Sequence, residues 1–126
     1  MLIIGHPLIP FKPIYRVIKL EDIKKTEPNS TILVDFDDKA LVQYSVANDI
    51  SLALHVKSIK DACLANALGA KFIVVNKDLS KIVQKIATEY LFDAKILIQI
   101  DDENGIEEVA NDLIDGVILK NGIVYM

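Results

Sequence analysis

The chain has 126 residues, with 14 basic and 18 acidic side chains and a formal net charge of −4. This length suits one ordinary domain with a real core, and the acidic balance argues against nucleic acid as a partner. Apolar residues make up 52% of the chain, but no run approaches the roughly 18 consecutive apolar residues of a membrane span.

The first thirteen residues, MLIIGHPLIPFKP, form an apolar, proline-punctuated arm ahead of one domain over residues 14–126. The prolines exclude a helix and allow at most a short edge strand at Leu2–Ile4. This start is also too short for a signal-peptide core, and the lone Cys63 leaves no role for disulfides, so we expect a cytosolic protein. The arm packs either over its own domain or on a partner subunit, and the second reading favours a homodimer.

Short apolar, β-branched runs recur along the remaining chain at nearly constant spacing. The predicted strands are Ile14–Ile18, Ile32–Phe36, Leu52–Val56, Phe72–Val75, Ile96–Ile100 and Val117–Leu119. Segments with helical periodicity separate them, such as the apolar stripe from Leu79 to Tyr90. Alternating strands and helices predict a parallel sheet, because parallel neighbours need a crossover connection.

Turn residues complete the predicted topology. Gly69 and Gly116 come just after predicted helices, where a left-handed cap is expected, and Asn121-Gly122 is a two-residue hairpin signal. We therefore predict an α/β fold with an open, mostly parallel sheet of five or six strands. Helices cover both faces, as in flavodoxin-like folds, and an antiparallel hairpin forms the carboxyl-terminal edge. The alternative is half of a βα barrel.

Polar residues at the carboxyl ends of the predicted strands are the candidate ligand-binding residues. Asp35, His55 and Gln99 each occupy the next-to-last position of an apolar strand, and Asn76 follows another. Ligands bind at this edge in open parallel sheets and in βα barrels alike. The four side chains either converge on one small polar ligand or reach solvent and cap neighbouring backbone groups.

Two acidic runs at the same edge are candidate ligands for a hard cation such as Mg²⁺: Asp37-Asp38 and Asp101-Asp102. Each run also precedes a predicted helix, where Asp is a preferred N-cap, so capping explains both runs without a metal ion and is the favoured interpretation. No spacing of His and Cys suits a transition metal. The sequence identifies no cofactor, since it contains no glycine-rich phosphate loop and no nucleophile elbow.

Two families share short features with the chain. Asp37-Asp38 and Lys120 resemble the outer acidic pair and the lysine of response-regulator receiver domains. Asn76 stands where such domains have their phosphorylated aspartate, so the resemblance implies a degenerate receiver at most. Residues 65–75 and 114–119 are similar to units of phosphate-binding βα barrels and small aldolases. The chain has about half the residues of such a barrel, and it would have to pair with a second copy.

Two classes of function follow from these observations. The first is a non-catalytic module that binds a ligand or a protein partner. The second is a small enzyme or Mg²⁺-dependent site at the carboxyl ends of the strands, with Asp35 and His55 as acid–base groups. Whether Asp35, His55 and Gln99 share one concave site separates the two classes.

Overall fold

The computed structural model describes residues 1–126 as one α/β unit with a single eight-stranded sheet. The strands are β1 (Leu2–Ile4), β2 (Ile14–Arg16), β3 (Thr31–Asp35), β4 (Leu52–His55), β5 (Phe72–Val74), β6 (Lys95–Ile100), β7 (Gly116–Leu119) and β8 (Ile123–Tyr125). The α-helices are α1 (Lys39–Ala47), α2 (Ile59–Ala67), α3 (Lys77–Glu89) and α4 (Ile106–Asn111). Short 3-10 helices span Leu20–Lys25, Glu103–Gly105 and Lys120–Gly122.

The strand order is β1-β7-β6-β5-β4-β3-β2-β8, and every neighbouring pair is parallel. From β2 to β7 the order follows the chain without reversing. Parallel crossovers are right-handed, so a sheet that never reverses carries all its helices on one face. The predicted three-layer sheet of five or six strands is therefore wrong, and the alternative of a βα half-barrel fits.

The connection between β7 and β8 forces this sheet to curl. In the strand order β7 is second and β8 is eighth, so a flat sheet would hold them about 29 Å apart at a spacing of roughly 4.8 Å per strand. Only residues 120–122 join the two strands, and the four Cα–Cα steps span at most about 15 Å. The sheet must bend until its two edges approach, although no ladder joins β1 to β8.

The two faces of the curled sheet have separate apolar cores. The outer core joins alternate strand residues, such as Val34, Leu54 and Ile98, to the helices. The inner core holds strand residues alone, and each strand contributes. Its members are Ile4, Ile14, Leu33, Ala53, Phe72, Val74, Leu97, Ile118 and Ile123. Since both edge strands belong to this cluster, the inner face is covered by the sheet itself and not by helices.

Three glycines permit close backbone approach where the edges meet. A Cβ on Gly5 would lie 2.5 Å from the backbone nitrogen of Gly122, and one on Gly116 would lie 2.5 Å from the carbonyl oxygen of Leu2. The predicted hairpin at Asn121-Gly122 is wrong, because these residues belong to a 3-10 helix and β8 pairs in parallel with β2. Gly116 is likewise not a helix cap but the first residue of β7.

All four α-helices end in the same way, with a residue of positive φ two positions after the last helical residue. These residues are Asp49, Gly69, Leu91 and Leu113. In each case the next N–H reaches back to the last turn, as in the bond from Ala70 N–H to the Ala65 carbonyl (3.1 Å). This is the Schellman arrangement, which satisfies the free carbonyls of a helix end. The predicted role of Gly69 is confirmed by its φ of 88°.

The amino-terminal arm begins inside the sheet. Leu2–Ile4 form β1, which pairs with β7, and the chain then runs without regular structure to β2. Residues 5–13 thus cross from one edge of the curled sheet to the other. No helix of the structure combines the length and the apolar character that crossing a membrane requires.

Truncation of one residue in each core tests the two-core arrangement. Val74 and Ile98 are 3% and 6% exposed, which confirms the burial expected from their positions in apolar runs. We expect Val74→Ala and Ile98→Ala each to lower the free energy of unfolding by roughly 1–4 kcal/mol, through lost burial and the cavity left behind. Urea denaturation measures the change. Leu8→Ala, at a residue 86% exposed, is the control and should change little.

Two glycine substitutions distinguish the loss of stability caused by a steric clash from the loss caused by backbone strain. Gly69 has φ 88° and open space around its missing Cβ, so Gly69→Ala should cost about 1–2 kcal/mol from strain alone. Gly116→Ala would drive a Cβ into the backbone of β1, and we expect a larger loss of unfolding free energy than at Gly69. Equal losses in urea denaturation would contradict the close approach of β1 and β7.

Candidate functional site at the carboxyl ends of the strands

The carboxyl ends of the parallel strands surround one opening, here called the mouth. Side chains that continue the inner face of the sheet change from apolar to polar there. Six of them define the polar ring: Arg16, Asp35, His55, Asn76, Gln99 and Tyr125. Arg16, Asp35, His55 and Tyr125 each end a strand, Gln99 is next to last in β6, and Asn76 follows β5. Because side chains alternate between the two faces of a strand, each of six strands places one polar side chain at the mouth, on the strand or just after it.

Arg16 holds one side of the polar ring in place. Its Nη2 donates to Asp35 Oδ2 at 2.9 Å, and its Nη1 donates to the carbonyls of Val17 (3.0 Å) and Leu33 (3.1 Å). The Arg16 side chain is only 20% exposed, whereas the Asp35 carboxylate is 47% exposed. Arg16 therefore anchors Asp35 from the inside and leaves one carboxylate face open to the mouth.

His55 continues the ring from Asp35 toward Asn76. Asp35 and His55 are direct partners in the β3–β4 ladder, and 3.6 Å separates Asp35 Oδ1 from His55 Nδ1. On the other side of the ring, His55 Nε2 lies 3.2 Å from Asn76 Oδ1. Four of the polar side chains thus form one chain of contacts across β2, β3, β4 and the end of β5.

The other two members of the ring meet across the mouth. Gln99 Nε2 donates to the hydroxyl oxygen of Tyr125 at 3.4 Å, although β6 and β8 are not neighbours in the sheet. A concave pocket of about 220 Å³ opens beside this bond, with His55, Asn76 and Gln99 along its wall. The structure therefore brings Asp35, His55 and Asn76 into one contact chain, and His55, Asn76 and Gln99 line one pocket that Asp35 does not reach.

Asn76 departs from the usual role of a helix-capping residue. It is the N-cap of α3, but its side chain accepts no hydrogen bond from the helix and lies against His55 instead. A capping bond at such a position is typically worth about 1 kcal/mol. Local rules of this kind are broken most often where a side chain serves a site, so Asn76 marks the pocket.

The candidate metal ligands lie apart from one another. Asp38 caps α1 by accepting from the N–H of Leu41 (3.2 Å), and Asp102 accepts from the N–H of Asn104 (2.9 Å). The carboxylate of Asp37 lies 3.6 Å from Lys57 Nζ. Asp101 lines a shallow depression near His6. One residue of each run thus acts as a helix cap, and no group of three or more His, Cys, Asp or Glu side chains is arranged to hold a metal ion.

His6 ties the arm to the loop after β6. Its Nδ1 accepts from the N–H of Leu8 (3.1 Å), so the proton of the ring lies on Nε2, which donates to Glu103 at 2.7 Å. The His6 side chain is 14% exposed. This contact joins the arm, just after β1, to the loop that follows β6 at the mouth.

Sequence reasoning missed Arg16, Tyr125 and His6 as members of the rim. Arg16 carried a signal, since it is a single charged residue inside the apolar run I-Y-R-V-I. Tyr125 carried none, because its position depends on β8 pairing with β2 and not with β7. His6 lies in the arm, whose course across the sheet edges is not visible in the residue pattern.

Comparison with known proteins gives the fold and no more. No protein-family model matches the chain, and no curated protein matches it. A solved structure of a NadC deletion mutant, crystallised in a cubic space group, has a TM-score of 0.52 and 16% sequence identity. The match covers 85% of this chain and 47% of that one, so this chain spans about half the length of its structural neighbour. At this identity the likeness supports the curled α/β fold alone.

Removing the anchor of the ring tests its structural role. Arg16→Met would leave the Leu33 and Val17 carbonyls and the Asp35 carboxylate without their donor, and we expect a loss of about 1–3 kcal/mol in unfolding free energy. Asp35→Asn should cost about 1 kcal/mol or less, since its carboxylate is half exposed and screened by solvent. Urea denaturation of both variants measures which of them loses more unfolding free energy. A larger loss for Asp35→Asn would contradict the assignment of Arg16 as anchor.

Proposed function

We propose that the chain binds a small polar molecule at the mouth and that the polar ring is its recognition surface. The observation that carries the proposal is the convergence of hydrogen-bonding side chains from six strands above an apolar interior. A few convergent polar groups over an apolar floor are typical of ligand sites. The pocket beside the ring has a floor formed by Val74 of the inner core and by Ile98 and Val109 of the outer core.

The size of the pocket limits the ligand. A volume of about 220 Å³ is below the roughly 300–1,000 Å³ of pockets for drug-sized molecules. The ligand is therefore of metabolite size, and a dinucleotide or a peptide segment would not fit inside.

The chemistry of the wall limits the ligand further. Asn76 and Gln99 line the pocket and each carry an amide donor and an amide acceptor, and the Tyr125 hydroxyl lies outside the lining as a partner of Gln99. The charged residues that line the pocket are already paired, Lys77 with Glu108 and Asp112 with Lys81. These features favour a ligand with both donors and acceptors and little net charge over a multiply charged anion such as a phosphate ester.

A second candidate function is acid–base catalysis on the same ligand. The observation that favours it is the Asp35–His55 contact of 3.6 Å, with Arg16 holding the other carboxylate oxygen. At 3.6 Å the carboxylate lies beside Nδ1 without a hydrogen bond, which leaves Nε2 as the ring nitrogen that faces a ligand. In this protein Nε2 lies toward Asn76 and the pocket. We favour binding over catalysis because no nucleophile or oxyanion site lies beside Asp35 and His55.

A thermal-shift screen tests the binding proposal. The probes are sugars, nucleosides, amino acids, dicarboxylates and sugar phosphates, each added to the intact chain. A ligand at a hundred times its Kd raises the free energy of unfolding by about 2.7 kcal/mol, which a melting shift of several degrees reports. We expect hits among the weakly charged polar compounds.

Variants of the pocket wall locate the binding. Asn76→Ala and Gln99→Ala remove wall contacts, and each should raise the Kd of a hit about tenfold or more, measured by calorimetry. Gln43→Ala, on the exposed face of α1, is the matched control and should leave Kd unchanged. Binding that survives both wall substitutions would exclude the mouth as the site.

A further inference from the structure

Several strongly exposed apolar side chains lie at the end of the sheet opposite the mouth. The loops that lead from helices into strands carry Leu68, Tyr90, Leu91 and Leu113, which are 42%, 78%, 84% and 82% exposed. Met1, just before β1, is 57% exposed. Because the amino ends of parallel strands share one edge, these residues lie on one side of the protein, here called the amino-end face. Clustered exposed apolar groups of this kind mark an interaction surface.

Two of these leucines occupy an unfavourable backbone conformation. Leu91 and Leu113 have φ of 53° and 58°, in the helix-end position that Gly69 fills after α2. A left-handed conformation costs a residue with a Cβ roughly 1–2 kcal/mol. Their side chains extend into solvent and recover nothing by burial within the chain. Burial of the two leucines against another molecule would offset both the backbone strain and the exposure of their apolar side chains.

The same face contains a deep cavity with unpaired charges of both signs. The cavity, about 1,020 Å³, lies between β1 and β2 and is lined by the arm and by the inner-core residue Phe72. Its charged lining residues are Lys12, Lys71, Lys95, Glu27 and Asp93. None of the five takes part in the ion pairs of the chain. A surface with unpaired charges of both signs offers each sign a partner on a second copy of itself.

We propose that the amino-end face binds the same face of a second copy of this chain in a symmetric dimer. Around a two-fold axis, lysines of one copy meet Glu27 and Asp93 of the other, and the reverse contact follows by symmetry. The exposed leucines then close over the two cavities. Mixed charge favours this partner over a membrane surface, which requires a basic patch. The mouth of each copy stays open at the far end of the dimer.

Sedimentation velocity over two decades of protein concentration tests the dimer. The variant Leu91→Asn with Leu113→Asn removes two apolar contacts, and Asn tolerates positive φ, so the monomer keeps its fold. We expect the dimer Kd to rise at least tenfold with an unchanged circular dichroism spectrum. Leu8→Asn, equally exposed but beside the mouth, is the control and should leave Kd unchanged.

Charge reversal tests the symmetry of the contact. Lys71→Glu with Lys95→Glu should weaken the dimer, and so should Glu27→Lys with Asp93→Lys. The chain that carries all four reversals should recover most of the affinity, because opposite charges face each other again. A wild-type chain that stays monomeric throughout, a dimer insensitive to Leu91 and Leu113, or no recovery on combining the reversals would overturn the proposal.

Discussion

The three-residue connection between β7 and β8 is the constraint on which the architecture depends. It joins strands that stand second and eighth in the sheet, so the sheet cannot lie flat. Curling gives the inner face of every strand an apolar partner and leaves the helices to cover the outer face alone. The curl brings backbones into close contact at Gly5, Gly116 and Gly122. A residue with a Cβ would clash with the facing backbone at these three positions.

The fold was predictable from the sequence up to the order of its strands. Apolar runs and helical stripes located six of the eight strands and the helices between them, because burial on both faces leaves an unbroken apolar signal. β1 was allowed only as a short edge strand, and β8 was assigned to a hairpin. Asn121-Gly122 is a strong local hairpin signal, but pairing with β2 outweighed it once the sheet had curled. Local turn chemistry cannot report a partner about a hundred residues away.

The candidate site was predictable in part for the same reason. Asp35, His55, Asn76 and Gln99 stand out as polar residues at the ends of apolar runs, and parallel pairing alone places such ends at one edge. Arg16 joins the ring through the pairing of β2 with β3, whereas Tyr125 joins it only because β8 pairs with β2. The polar residues on β3 to β6 could thus be identified from the sequence, whereas Arg16 on β2 was missed and Tyr125 depends on a long-range pairing.

The pairing pattern also bears on how the chain folds. Neighbours from β2 to β7 are separated by about twenty residues each, but Leu2 pairs with Gly116 and Ile14 with Ile123. Such distant pairings carry a larger entropic cost of loop closure and form late. The same late contacts bring Tyr125 to Gln99. Partial opening of β8, an edge strand, would remove Tyr125 from the mouth while the ladders from β2 to β7 stayed paired.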